Sequence, residues 1–112
     1  MATLPPLCRL DDIPDGQGRG FEVERWSGRT SIIVVRRGVA VFGYVNRCPH
    51  VGTPLDWVPD KFMSWDGCHL LCATHGALFR VEDGLCIQGP CAGDKLEPIA
   101  LEVSSGEVYP LL

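Results

Sequence analysis

Apolar residues in this chain come in short runs punctuated by glycine and proline, and no stretch sustains a helical period. Phe21 to Trp26 alternates as Phe-Glu-Val-Glu-Arg-Trp, and Thr30 to Arg36 is rich in β-branched side chains. Both patterns predict strands. Arg37-Gly38 reads as a hairpin turn into a strand over Val39 to Val45. Further strands are expected over Leu70 to Ala73, Ala77 to Val81 and Leu85 to Gln88, with a tight turn at Asp83-Gly84. Leu96 to Val103 and Glu107 to Leu111 complete the set, separated by Ser104-Ser105-Gly106. Many short strands at this spacing indicate an all-β sandwich or barrel.

A length of 112 residues suits one domain, 1–112, with one core. The chain is 46% apolar and 21% charged, which argues against disorder. Runs such as Ile32 to Val35 are far too short to span a bilayer, so no membrane is expected. The N-terminal residues carry no secretory or lipidation signal, which makes the cytoplasm the default location. A net charge of −4 and a pI near 5.2 exclude nucleic acid as an expected partner and suit a partner with a basic docking face. Arg36-Arg37 reads as a solvated hairpin end. Gly16-Gln-Gly-Arg-Gly20 has the wrong spacing for a dinucleotide-binding loop and precedes a strand pattern, so it is expected to be a plain flexible loop.

The six cysteines decide the chemistry. Two of the three histidines sit with cysteine in compact boxes, Cys48-Pro49-His50 and Cys72-Ala73-Thr74-His75, separated by the 21 residues 51–71. Each box is followed closely by glycine, Gly52 and Gly76, which lets a loop bend tightly and its N–H groups approach a metal-bound sulfur. Two thiolates and two imidazoles could hold structural zinc. Familiar zinc spacings, however, pair Cys with Cys and His with His, whereas here each box mixes them. A diiron cluster with both thiolates on one iron and both imidazoles on the other uses this mixture.

The boxes resemble the Rieske pattern, Cys-x-His followed by Cys-x-x-His. Cys72-Ala-Thr-His-Gly-Ala-Leu-Phe-Arg-Val-Glu-Asp-Gly is similar to the second cluster loop of Rieske ferredoxins, and Gly89-Pro90 matches the proline-containing loop that covers the cluster. The similarity runs from about Val39 to Leu112. It implies small antiparallel sheets with a cluster-binding tip, and a [2Fe–2S] cluster with Cys48 and Cys72 on the inner iron and His50 and His75 on the outer one. It also implies a one-electron carrier rather than an enzyme, relaying from a flavin reductase to a ring-hydroxylating or related oxygenase. A small subunit of a larger reductase, such as assimilatory nitrite reductase, and a redox-sensor module are the alternatives.

High-potential respiratory members carry a disulfide whose positions are Thr53 and Thr74 here, and hydroxyl donors whose positions are Ala77 and Phe79. Hydrogen bonds to sulfur stabilise the more negative reduced state, so their loss is expected to lower the potential. The gap between boxes is longer than in the shortest members, and Trp57 to Trp65 accounts for the excess. Its alternation suggests a strand with aromatic core contacts. His69 is read as a strand residue. An oxygenase site of its own would need two histidines, and only His69 is left. Cys86 and Cys91 flank Gly89-Pro90. In a reducing compartment they are expected to be buried or loop thiols, with a disulfide or redox-sensing pair as the alternative. Cys8 and Cys68 have no motif context.

Overall fold

In a computed structural model, residues 5–25, 28–49, 52, 54–56, 61–64, 67–73 and 76–111 are described. In chain order the strands are β1 (Cys8–Arg9), β2 (Gly18–Arg25), β3 (Gly28–Arg37), β4 (Ala40–Val45), β5 (His69–Cys72), β6 (Ala77–Arg80), β7 (Cys86–Gln88), β8 (Pro98–Ile99), β9 (Leu101–Ser104) and β10 (Glu107–Pro110). A 3-10 turn, Leu10–Asp12, follows β1. Among the described residues the strands form three antiparallel sheets, ordered β2-β3-β4-β8, β1-β10-β9 and β5-β6-β7. Among the described residues no helix is long and apolar enough to cross a membrane.

Strand β3 organises the packing. Ile32, Ile33, Val34 and Val35 are all fully buried. Successive side chains of a strand point to opposite faces, so four in a row can be buried only when both faces are covered. Ile33 and Val35 enter one core, shared with β5, β6, Cys48 and Cys72. Ile32 and Val34 enter the other, with Leu10, Ile13, Ile99 and Val108. Each such side chain contributes roughly 1.5–3 kcal/mol of burial.

The expected strand over Leu96 to Val103 is broken at Ala100. Pro98–Ile99 pairs with Gly43 and Tyr44 of β4, whereas Leu101–Ser104 pairs with β10 in a different sheet. Pro98 suits this site because β8 is an edge strand, where a missing N–H costs least. The switch of sheets needs Gly43. A Cβ there would lie 2.6 Å from the Ile99 carbonyl oxygen and 2.8 Å from Leu101 Cδ1.

Two further expectations change. Gly18 and Gly20 lie in strand β2, opposite Val35 and Ile33, so only Gly16 of that glycine run belongs to the preceding turn. Arg36 and Arg37 are not simply solvated. Arg36 donates to the carbonyls of Gly38, Leu10 and Ile13 at 2.7, 3.3 and 3.0 Å, tying the 3-10 turn to the hairpin. Arg37 pairs with Glu82 and donates to the Cys68 carbonyl at 2.7 Å, which joins two sheets. Of the 57–65 segment, Trp57 to Asp60 and Trp65 lie outside the described residues. Lys61 to Ser64 do run beside β5: Leu71 N–H donates to the Phe62 carbonyl, Ser64 N–H donates to that of His69, and Phe62 is buried. His69 itself lies in β5 opposite Arg80, as a strand residue.

The Asp83-Gly84 turn is held by charge. Arg80 donates to Asp83, and the Leu85 N–H donates to Asp83 Oδ1 at 3.0 Å. These contacts hold the Asp83 carboxyl down at about 2. The sign follows: the turn's charge contribution is present above the ordinary carboxylate pKa of about 3.9 and is lost as pH falls through about 2. An NMR titration of the Asp83 carboxyl is expected to give a midpoint near 2 in the native chain. In Arg80→Ala the midpoint is expected to return towards the ordinary value.

Candidate metal centre

Cys48 follows β4 and Cys72 ends β5. Both are fully buried in the same core, and neither is in a disulfide. The two loops are closed in the same way. Gly52 N–H donates to the Cys48 carbonyl at 2.7 Å, and Gly76 N–H donates to the Cys72 carbonyl at 2.9 Å. Each bond spans four residues, an α-turn. The closing glycines have φ of +76° and +70°, a region other residues rarely enter. Histidine stands third in the first turn and fourth in the second. His50 and His75 lie outside the described residues, as do Thr53 and Thr74.

The turns are stitched together and braced. Ala73 N–H donates to the Leu55 carbonyl at 3.0 Å, joining the second loop to the segment that continues the first. Asn46 anchors that segment. Its Oδ1 accepts from Leu55 N–H at 2.8 Å, its Nδ2 donates to Asp56 Oδ1 at 3.0 Å, and its backbone N–H donates to the Ser31 carbonyl at 2.9 Å. Sequence reading passes over Asn46. The available signal is its type, since asparagine side chains satisfy loop backbone groups, just before a loop cysteine.

A third wall comes from Gly89-Pro90. Gly89 has φ +103°, and a Cβ there would meet Ala77 Cα at 2.8 Å. The loop therefore lies directly on the residue that follows the second turn. Ala77 and Phe79 are fully buried and offer no hydroxyl. Beside them, Cys91 and Cys86 bring their sulfurs to 2.9 Å, with the Cys91 thiol donating. Burial first, then the Cys86 hydrogen bond and the neighbouring Cys86 and Cys48 sulfurs, push the Cys91 thiol up to about 12. Cys68 is exposed and Cys8 half-buried in β1.

Could these residues hold the cluster? Among the described residues no three Cys, His, Asp or Glu side chains gather as a metal site, and the two imidazoles lie outside them. The thiol half fits. Two buried cysteines stand at the heads of matching turns in one core. Apart from thiols, the only hydrogen-bonding side chain buried among the described residues is Tyr44, whose hydroxyl donates to the Val81 carbonyl.

The sequence model of the Rieske [2Fe–2S] domain matches residues 3–105. No curated protein matches the chain. Among solved structures, the ferredoxin of carbazole 1,9a-dioxygenase from Nocardioides aromaticivorans IC177 superposes with a TM-score of 0.77 at 23% identity, over 97% of each chain. A chain from the complex of reduced oxygenase and oxidised ferredoxin in carbazole 1,9a-dioxygenase gives 0.74 at 27% identity, over 95% of this chain and 90% of that one. The terminal oxygenase of carbazole 1,9a-dioxygenase from Novosphingobium sp. KA1 gives 0.78 at 17% identity, over 96% of this chain and 29% of that one.

Proposed function

The chain belongs to the Rieske [2Fe–2S] domain family, and on that premise we propose that it is a low-potential carrier of single electrons, running from a flavin reductase to a ring-hydroxylating or related oxygenase. The matched turns at Cys48 and Cys72 carry this reading. Cys48 and Cys72 supply the two thiolates to one iron, and His50 and His75 supply the two imidazoles to the other. When bound, the cluster takes up and gives back one electron.

The chain's own residues do the rest. The two α-turns start from Cys48 and Cys72, whose side chains are fully buried. Asn46 fixes the first loop against β3. Leu55, Phe62 and Phe79 exclude water. Ala77 and Phe79 withhold hydroxyl donors, so the extra negative charge of the reduced state is stabilised less. That favours the lower end of the Rieske range, around −150 mV. The acceptor class is suggested by the solved complex of an oxygenase with a ferredoxin to which most of this chain is similar.

A potentiometric titration with mediators tests the reading. A one-electron Nernst curve centred near −150 mV supports it, and a midpoint above zero would remove the low-potential assignment. The Phe79→Tyr variant is expected to titrate higher. A hydrogen bond that strengthens by about 1 kcal/mol on reduction raises the midpoint by roughly 40 mV. An unchanged midpoint would mean that this position does not tune the centre.

A further inference from the structure

Cys86 and Cys91 lie outside the expected ligand set, yet they are built as a pair. Both are 2% exposed. Their sulfurs stand 2.9 Å apart, so roughly 1 Å of approach reaches the bonded S–S length of about 2.05 Å. Backbone hydrogen bonds hold the intervening turn: Gly93 N–H to the Cys86 carbonyl, Asp94 N–H to that of Cys91, Ala92 N–H to that of Gly89, and Cys86 N–H to that of Asp94. The ordering that a new cross-link must otherwise impose is already in place.

We propose that Cys86 and Cys91 form a reversible dithiol–disulfide pair that staples the loop over the metal centre, closing by exchange with a low-molecular-weight disulfide. One cysteine thiolate attacks the reagent, whose S–S bond breaks and releases one small thiol, leaving a mixed disulfide on the protein. The second cysteine sulfur then attacks the first, the Cys86–Cys91 bond forms, and the second small thiol leaves. Two electrons and two protons pass in total from the pair to the reagent disulfide. Gly89, Pro90, Ala92 and Gly93 are exposed and follow β7, so opening of this turn bares Cys91 to the reagent while β7 keeps its pairing with β6. The Cys48 sulfur also neighbours Cys91, so iron content is followed together with the pair.

The sequence provides a direct readout. Trypsin, cutting after Arg80 and Lys95, releases Val81–Lys95, which contains Cys86 and Cys91 and no other cysteine. The holoprotein is equilibrated in buffers of reduced and oxidised glutathione, starting from both the reduced and the oxidised side. It is then quenched in acid, alkylated with iodoacetamide in denaturant, digested and weighed. The expected result is one two-electron transition. The peptide passes from two alkyl groups to none, two hydrogens lighter than the dithiol, with no glutathione retained. Iron content is measured on the same samples. Peptide that stays doubly alkylated in every buffer, or a disulfide from either residue to Cys48, Cys72 or glutathione, would overturn the proposal whatever the iron content. Absence of iron in every buffer, the most reducing included, with the transition intact would count against the ligand assignment alone.

Discussion

Cys72→Ala is expected to purify colourless, with neither iron nor inorganic sulfide above background, while its far-ultraviolet circular dichroism stays that of a β protein. Cys72 ends β5 with its side chain fully buried, at the head of the turn closed by Gly76. Removing its sulfur leaves one iron with a single protein thiolate, and the one buried side chain among the described residues that carries oxygen or nitrogen, Tyr44, is already committed to the Val81 carbonyl. The backbone hydrogen bonds of the turn do not involve the sulfur, and the lost burial is small beside the two cores, so the fold survives. Cys48→Ala is expected to behave alike, since its turn is closed in the same way by Gly52. Iron and acid-labile sulfide assays check both. Variants retaining the native complement of each would show that another residue holds the cluster.

Gly89→Ala is expected to lower stability by about 3 kcal/mol, combining backbone strain with overpacking. At φ +103° an alanine is already strained, and its Cβ would stand 2.8 Å from Ala77 Cα and 3.1 Å from Ala77 Cβ. Neither neighbour can swing aside, because one is backbone and the other is bonded directly to it. The Gly89-Pro90 loop must lift from the second turn, and the centre beneath it becomes open to water. Gly93→Ala is the control. It has φ +96° with nothing within 4 Å of its Cβ position, so it carries the strain without the clash. Urea unfolding curves are expected to rank native chain, Gly93→Ala and Gly89→Ala in falling order, with cluster loss fastest in the last. Equal stability of the two variants would mean that contact with Ala77 has no energetic weight.

Several features were legible in the sequence because they obey local rules. The β-branched run at Thr30 to Arg36 and the Asp83-Gly84 turn needed only strand propensity and turn chemistry. The mixed Cys/His boxes were legible because few other chemistries use that combination. Other features depended on tertiary placement. The break at Ala100 follows from Gly43 letting β8 and β9 part between two sheets. Strand β1 is two residues long and exists because β10 lies beside it. Arg36 reads as a surface charge until the carbonyls of Leu10 and Ile13 are brought next to it by folding. In the site, the cysteines could be picked out, whereas the bracing by Asn46 and the approach of Cys91 to Cys86 depend on loops distant in sequence or curved in space.

Pulsed electron paramagnetic resonance of the dithionite-reduced protein probes the iron ligands most directly. Nitrogen nuclei bound to iron couple to the unpaired electron. The spectrum is expected to show couplings from two imidazole nitrogens and a mean g below that of an all-thiolate cluster, with the couplings reduced to one in His50→Ala or His75→Ala if any cluster is kept. A reduced centre with no nitrogen coupling, or a colourless protein holding zinc in place of iron, would contradict ligation by Cys48, His50, Cys72 and His75.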